Sequence, residues 1–325
     1  MLAAVISDLH LGTRTRSDLA ARPEIRRRLM AAPQEVDEVV LLGDSIELRD
    51  RPLAEALAAA TPFFRELGEA LSGGRVTVVP GNHDYQLASA WLERRGPGAR
   101  LGLDQRSRPA AGDPLGRLAS QMGDTALELA YPGLWLRPDL YATHGHYLDC
   151  HNPVATFECL ASAFVKRLVR PGRDGFRTPD DYEAVLAPLY RMIYRSAQSR
   201  RARRAVHSAK RLVRAWERSL GYRGPLRRPG LEAMAKVIDC LGIEADYVVF
   251  GHLHGPGPLT TRHGWRTAGG TQLVNTGSWV YEPAYLGPSF ERSSYWPGTC
   301  TFISSEGPPR LEHLLQGLTF TELAA

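Results

Sequence analysis

The segment LAAVISDLHLG, residues 2–12, joins a short apolar run to a cluster of polar residues. The apolar run, residues 2–6, has the length and composition of a buried strand. Asp8 and His10 follow it directly and are two residues apart, so both side chains can point to the same side of the chain. The segment therefore predicts a strand that ends in a pair of candidate metal ligands.

Similar apolar runs recur along the chain at residues 39–42, 76–79, 140–143, 247–250 and 272–275. The first four of these lead into the clusters LGDSIE (42–47), PGNHD (80–84), THGH (143–146) and FGHLH (250–254). Helical patterns at residues 23–30 and 53–71 alternate with the early runs, which is typical of a layered α/β fold. Because ligand sites in such sheets gather at the carboxyl ends of strands, we expect the clusters to meet.

These clusters contain carboxylate, imidazole and amide side chains, a mixture that suits Mn²⁺, Fe²⁺ or Zn²⁺ better than Ca²⁺. The candidate ligands are Asp8, His10, Asp44, Asn82, His144, His252 and His254. Seven groups are too many for one ion, so we expect two divalent ions, with Mn²⁺ favoured and with Asp44 as the bridge. Two ions about 3.5–4 Å apart can hold a hydroxide and stabilise charge on a phosphoryl group. This chemistry predicts phosphoester hydrolysis.

In this order, the clusters resemble the calcineurin-like metallophosphoesterase superfamily, whose pattern is DxH, GD, GNH(D/E), H and GHxH. The resemblance implies a two-layer β-sandwich flanked by helices, with the metals at the edge of the sheets. It also implies His83 and Asp84 as a catalytic pair, in which the histidine acts on the phosphoryl group or leaving oxygen and the aspartate orients it. The implied ligands are Asp8, His10, Asp44 and His254 for the first metal, and Asp44, Asn82, His144 and His252 for the second.

Three further residues are predicted to support the site or to contact the substrate. Glu47 is expected to hold a metal ligand by hydrogen bonding rather than to bind metal itself. For His146, a supporting role, a substrate contact and a plain polar residue after a turn all remain open. Ser278 lies in NTGSW, residues 275–279, which resembles the strand and turn that follow GHxH in relatives.

The basic charge of the chain belongs to one segment. The formal net charge is +5, yet residues 151–230 hold 18 Lys and Arg against 6 Asp and Glu, a local balance of +12. We expect a basic helical insertion at residues 153–231 between two parts of the metallophosphoesterase domain, 1–152 and 232–325. Apolar residues recur at helical spacing over 154–168 and 202–220. On the second of these helices, the candidates for contact with substrate or membrane are Arg200, Arg204, Arg211 and Arg218; the alternative is an ordinary solvated face.

Residues 94–124 are rich in Gly, Pro, Arg and Asp and predict a long irregular segment. The first residues of the chain lack the basic segment of a signal peptide, and no apolar run has the length of a bilayer span. Four cysteines without a CxxC pair indicate reduced thiols. Together these features predict a cytoplasmic protein, with peripheral attachment to the inner face of the membrane as an open alternative.

The sequence leaves three classes of substrate open. The DLHLG and GDSIE segments and the helical insertion resemble the UDP-diacylglucosamine pyrophosphatases, which suggests a lipid-linked phosphodiester or pyrophosphate at an anionic membrane. Those enzymes usually have Arg where this chain has His83, so the resemblance is incomplete. The alternatives are a nuclease, and a phosphomonoesterase or cyclic-nucleotide phosphodiesterase with small substrates. Nucleic acid is less favoured because the basic stretch lacks regularly interleaved aromatic residues, and no protein partner is indicated.

Overall fold

The computed structural model describes residues 3–32, 36–96, 98–152, 175–199, 227–259 and 264–325. Ten strands within these ranges join in one sheet. They are β1 (Ala3–Ile6), β2 (Glu38–Leu42), β3 (Arg75–Val79), β4 (Asp104–Ser107), β5 (Ala126–Arg137), β6 (Leu140–Thr143), β7 (Tyr247–Phe250), β8 (Gln272–Asn275), β9 (Thr299–Ile303) and β10 (Arg310–His313). Their order across the sheet is β10-β9-β1-β2-β3-β5-β6-β7-β8, with β4 paired to β5 beside this path.

Seven α-helices lie within the described residues. They are α1 (Pro23–Leu29), α2 (Leu53–Ala70), α3 (Gln86–Arg94), α4 (Pro114–Ala119), α5 (Pro179–Gln198), α6 (Arg227–Leu241) and α7 (Phe320–Ala324). Three short 3₁₀ helices, η1 (Leu19–Ala21), η2 (His146–Cys150) and η3 (Phe290–Arg292), complete the list. The alternation of strands and helices confirms the predicted α/β class.

Strand β5 connects the two halves of the sheet, one with β1–β3 and the other with β6–β8. Its first residues pair with β3 in parallel, and its last residues pair with β6 antiparallel. A flat sheet would therefore place the carboxyl ends of β1–β3 and of β6–β8 at opposite edges. The chain bends over within β5, and this reversal brings both sets of carboxyl ends to the same edge. Gly133, near the middle of β5, permits the close approach of β6, because a Cβ atom there would overlap Tyr141 and the carbonyl of Ala142.

Two apolar cores lie on the two faces of the sheet. One face of both halves contributes to a single cluster that includes Val5, Val40, Leu134, Val249 and Val274, so the halves pack against each other. The other face packs against the helices and forms the larger cluster. The expected two-layer sandwich flanked by helices is thus built from one curled sheet.

The strands predicted from apolar runs agree closely with those in the structure, whereas residues 94–124 do not match the irregular segment we expected. They contain β4 and α4. The side chains of Leu115, Leu118 and Met122 are 1% exposed and join the outer core. Their spacing of three and four residues is a helical pattern that the surrounding Gly and Pro obscured.

Only part of the insertion falls within the described residues. The two amphipathic patterns at residues 154–168 and 202–220 lie outside them, as do Arg200, Arg204, Arg211 and Arg218. The described part, α5, begins at a capping box of Thr178 and Asp181 and buries one face, including Tyr182, Leu186 and Tyr190. The expected boundary at residue 231 lies inside α6, and the division into domain and insertion stays a prediction. No helix of the described ranges has the length and apolarity of a membrane span.

Candidate metal centre

The predicted ligands follow the carboxyl ends of five strands and occupy unusual backbone conformations. Asp8, His10, Asp44, His252 and His254 have φ angles of 54°, 46°, 50°, 66° and 56°. Only one other non-glycine residue in the described ranges, Arg16, has a positive φ. Left-handed conformations cost on the order of 1–3 kcal/mol each and persist where the surroundings enforce them, typically at functional sites. The strain therefore marks five of the seven residues that the sequence pattern selected as ligands, all except Asn82 and His144.

Glycine allows the ligands from different strands to approach one another. A Cβ atom on Gly43 would overlap the ring of His144, and one on Gly81 would overlap His144 and a carboxylate oxygen of Asp44. The glycines of the GD and GNH clusters thus leave the space into which the ligand from β6 fits.

Asp8, His10 and His254 form the first group of converging ligand atoms. The distance from His254 Nε2 to Asp8 Oδ1 is 3.3 Å, and that from His10 Nε2 to Asp8 Oδ1 is 4.0 Å. Both Asp8 Oδ1 and His10 Nε2 are buried without a hydrogen-bond partner in the described structure. Buried polar atoms without partners are costly, so a cation between them fits the arrangement.

Asp44, His144 and His252 form the second group. His144 Nε2 lies 3.4 Å from Asp44 Oδ2 and 3.2 Å from Asn82 Oδ1. The amide oxygen of Asn82 also faces Asp44 Oδ2, and only a rotated amide would hydrogen-bond to both neighbours. With either orientation of its amide, Asn82 lies next to both Asp44 and His144, which keeps it among the candidate ligands.

A third group of converging ligand atoms, from His10, Asp44 and His83, shares His10 with the first group and Asp44 with the second. Asp44 Oδ2 lies 3.4 Å from His144 Nε2 and 3.7 Å from His10 Nε2. It is therefore the carboxylate oxygen that borders both groups.

The family model described as calcineurin-like phosphoesterase matches residues 1–256. The chain belongs to this family. It is thus a metal-dependent phosphoesterase, a hydrolase. A solved structure of a dimetal phosphatase from Danio rerio is similar, with a TM-score of 0.42, 12% identity, and 99% of each chain covered. Comparison with curated proteins found no match.

Each candidate histidine ligand of the phosphoesterase is anchored through its second nitrogen. His10 Nδ1 lies 3.3 Å from Glu47, and His144 Nδ1 lies 3.0 Å from the carbonyl oxygen of Leu42. His252 Nε2 lies 3.0 Å from Asp149 Oδ1, and His254 Nδ1 lies 3.2 Å from Glu282 Oε2. Such partners fix the orientation and tautomer of a metal-binding imidazole.

Sequence reasoning missed Asp149 and Glu282. Asp149 lies in η2, and Glu282 lies in the loop after β8. Neither residue is close in sequence to the histidine that it contacts, since 103 and 28 residues separate the partners. Only their position in HGHYLD and beside NTGSW, next to other site residues, offered a signal.

The expected catalytic pair is arranged differently from what the resemblance implied. His83 Nδ1 lies 2.6 Å from Glu47 Oε2, and its Nε2 lies 4.0 Å from Asp44 Oδ2. Asp84 instead accepts backbone N–H groups of Gly81, Ser45 and Asp44 at 2.6, 2.7 and 3.2 Å. Glu47 thus takes the orienting position that we expected for Asp84. Asp84 holds the turns after β2 and β3 together.

The two other supporting candidates lie behind the ligands. His146 is 1% exposed, its ring centroid is 5.6 Å from that of His144, and its Nε2 is 3.4 Å from the hydroxyl of Tyr131. Burial and the neighbouring His144 charge lower the pKa of His146 well below its usual value. Ser278 acts through its backbone, since its carbonyl accepts the N–H of Gly298. The next residue, Trp279, donates its N–H to the carbonyl of Asp8.

The buried carboxylates change the protonation of the imidazoles in the metal-free chain. Burial lowers the pKa of His144, but the charges of Asp44 and Asp8 and the hydrogen bonds to Asp44 and Leu42 together outweigh burial and raise the pKa to about 9. Burial also lowers the pKa of His254, and the adjacent carboxylates of Asp8 and Glu282 raise it well above the usual value. These rings therefore hold protons at neutral pH, and a binding cation must displace them.

We expect the apparent affinity for Mn²⁺ to rise with pH between neutrality and about 9, because deprotonation of His144 removes the competing proton. Calorimetric titrations in buffers with different ionisation enthalpies will measure both the affinity and the number of protons released. An affinity that does not change over this pH interval would contradict the prediction.

Proposed function

We propose that this chain hydrolyses a phosphodiester or pyrophosphate with the help of two divalent cations. The observation that carries the proposal is the position of Asp44 Oδ2, which lies 3.7 Å from His10 Nε2 and 3.4 Å from His144 Nε2. A single carboxylate oxygen between two sets of ligands suits a bridge between two ions.

The two groups of converging atoms support one set of ligands for each ion. The first ion would be held by Asp8, His10, Asp44 and His254, and the second by Asp44, Asn82, His144 and His252. Imidazole and oxygen ligands in these proportions favour Mn²⁺, Fe²⁺ or Zn²⁺, and we propose Mn²⁺. Such a pair of ions supplies an activated nucleophile and stabilises the charge on the phosphoryl group.

The remaining residues act by position and by proton transfer. The side chain of His83 is 18% exposed, so it is open to the cleft, while Glu47 fixes its Nδ1. Its Nε2, 4.0 Å from Asp44 Oδ2, is therefore directed at the reacting region. We propose that His83 donates a proton or a hydrogen bond to the leaving oxygen.

The dinuclear assignment is tested by metal content. The wild-type chain should bind two Mn²⁺ ions, and Asp44→Asn should lose affinity for both because the amide carries no negative charge to share between them. Glu38→Gln is a matched control, since Glu38 is a buried acid on β2 that contacts Thr77 and Arg75 away from the site. A single ion in the wild type, or unchanged binding by Asp44→Asn, would refute the assignment.

The role of His83 is tested by separating turnover from metal binding. His83→Ala should keep both ions and lower kcat by about 10²–10⁴-fold, the usual contribution of a general acid. Turnover and metal content are measured on the same preparation, with a nitrophenyl diester as the substrate. Asp84→Asn should instead lower the thermal unfolding temperature, since Asp84 accepts buried backbone amides. Wild-type turnover in His83→Ala would contradict the role.

For the substrate we propose a lipid-linked phosphodiester or pyrophosphate at an anionic membrane surface. The support is the local balance of +12 over residues 151–230, in a segment with amphipathic helical patterns. Removal of the whole insertion is an unsuitable test, because α5 buries Tyr182, Leu186 and Tyr190 in the core. Substitution of charges is the better experiment.

The chain should bind anionic vesicles strongly at low salt and weakly at high salt, since each basic residue near such a surface contributes about 1 kcal/mol. Neutralising Arg200, Arg204, Arg211 and Arg218 to Gln should abolish flotation with the vesicles. The matched control neutralises four exposed arginines outside the insertion, Arg27, Arg28, Arg108 and Arg117. Equal losses of vesicle binding in both variants, or no binding by the wild type, would contradict the membrane proposal. Activity on single-stranded DNA or on a soluble nucleotide, measured in parallel, would then identify the substrate class instead.

A further inference from the structure

The carboxylate of Asp149 contacts one of the two nitrogens of His252. Asp149 Oδ1 lies 3.0 Å from His252 Nε2, and the two side chains are 6% and 11% exposed. His252 also offers a ligand atom within 4.8 Å of those of Asp44 and His144. Because Nε2 is held by Asp149, Nδ1 is the nitrogen available to a cation in the second group.

The position of Asp149 depends on the inserted segment. Asp149 lies in η2, and η2 packs against α5 through Tyr147. The ring of Tyr147 stacks on Tyr182 of α5, with centroids 4.4 Å apart and an angle of 5° between the planes. The Tyr147 hydroxyl donates to Glu183 Oε1 at 2.8 Å. At the end of η2, His151 Nε2 lies 2.8 Å from the hydroxyl of Tyr182.

The carboxylate of Glu183 connects α5 to the core through several hydrogen bonds. It also accepts the hydroxyl of Tyr131 on β5 at 2.6 Å and that of Tyr85 at 2.8 Å. Tyr85 directly follows the GNHD cluster, so the same carboxylate joins the insertion to the turn after β3. The inserted helix, η2 and the metal ligands therefore form one connected unit.

The first group of ligands is anchored from another part of the chain. Its histidine, His254, contacts Glu282 in the loop after β8, 3.2 Å from Nδ1. Glu282 lies outside residues 153–231, and His10 of the same group contacts Glu47. Within the described residues, α5 thus connects to the second group, whereas the anchors of the first group come from outside the insertion.

We infer that Asp149 is a positioning residue for the second metal, and that α5 of the insertion holds Asp149 in place through Tyr182 and Glu183. This inference rests on the proposed dinuclear function. The insertion then does more than cover the cleft, since it sets how tightly one of the two ions is bound. Loss of a carboxylate that orients a metal-binding histidine typically weakens metal affinity about 10–100-fold.

The test compares Asp149→Asn with the matched variant Glu282→Gln. Mn²⁺ titrations of the metal-free chain, followed by calorimetry, give one affinity for each ion. Asn82→Ala and His10→Ala identify which affinity belongs to the second and to the first ion. We expect Asp149→Asn to lower the affinity for the second ion by about 10–100-fold and to leave the affinity for the first within about twofold. Glu282→Gln should lower the affinity for the first ion and spare that for the second.

Two measurements separate positioning from folding. The thermal unfolding of the metal-free Asp149→Asn chain should match that of the wild type. At an Mn²⁺ concentration that fills the first site and not the weakened second site, the electron paramagnetic resonance spectrum of Asp149→Asn should be that of an isolated ion. The wild type at the same concentration should give the spectrum of a coupled pair. Glu183→Gln should also lower the affinity for the second ion selectively. If Glu183→Gln does not fold, Tyr147→Phe replaces it in this test.

Two outcomes would overturn the inference alone: two ions in the wild type with both affinities unchanged in Asp149→Asn, or equal weakening of both ions by Asp149→Asn and by Glu282→Gln. A wild-type chain that binds only one ion would overturn the proposed function, and the inference with it.

Discussion

Asp8, Asp44 and Glu47 bury their carboxylates to 0%, 2% and 4% exposure, side by side at one edge of the sheet. Concentrated buried negative charge is stable only with cations or with many hydrogen-bond donors. Imidazole rings surround these carboxylates, and in the metal-free chain the carboxylates raise the pKa of His144 and His254. The site is therefore held together by a charge balance that either protons or metal ions can complete.

The backbone around the site follows from the same constraint. Five ligand residues adopt left-handed conformations that aim their side chains inward, each at a cost on the order of 1–3 kcal/mol. The neighbouring backbone holds them in place, since β1, β2 and β7 are paired to within two residues of Asp8, Asp44 and His252, and the N–H groups of Asp8 and His10 donate to the carbonyls of Gly43 and Asp44. The bend in β5 is equally necessary, because without it the ligands after β6 and β7 would lie at the opposite edge from Asp8 and Asp44.

Much of the fold and of the ligand set was predictable because the information is local. A buried strand is a short apolar run, and a metal ligand just after it lies within a few residues in sequence. The bend in β5 and the strands β9 and β10 were not predicted, since they depend on packing between distant segments, and α4 was not predicted because Gly and Pro around it obscured its short helical pattern. The same reason explains Asp149 and Glu282, whose histidine partners lie 103 and 28 residues away. The pairing of His83 with Asp84 was implied by the resemblance; in the metal-free structure the Asp84 carboxylate contacts backbone amides, and Glu47 contacts the His83 ring.

The contact of Glu183 with three tyrosines limits how this chain can diversify. Tyr85, Tyr131 and Tyr147 are 2%, 0% and 4% exposed, and all three hydroxyls donate to that one carboxylate. A different inserted segment, brought in by recombination or by design, would have to present an acceptor at the same point. Without one, each buried hydroxyl would lose its partner at a cost of about 1–3 kcal/mol. Replacement of the insertion to change the substrate range would thus require matched changes at these three positions of the core.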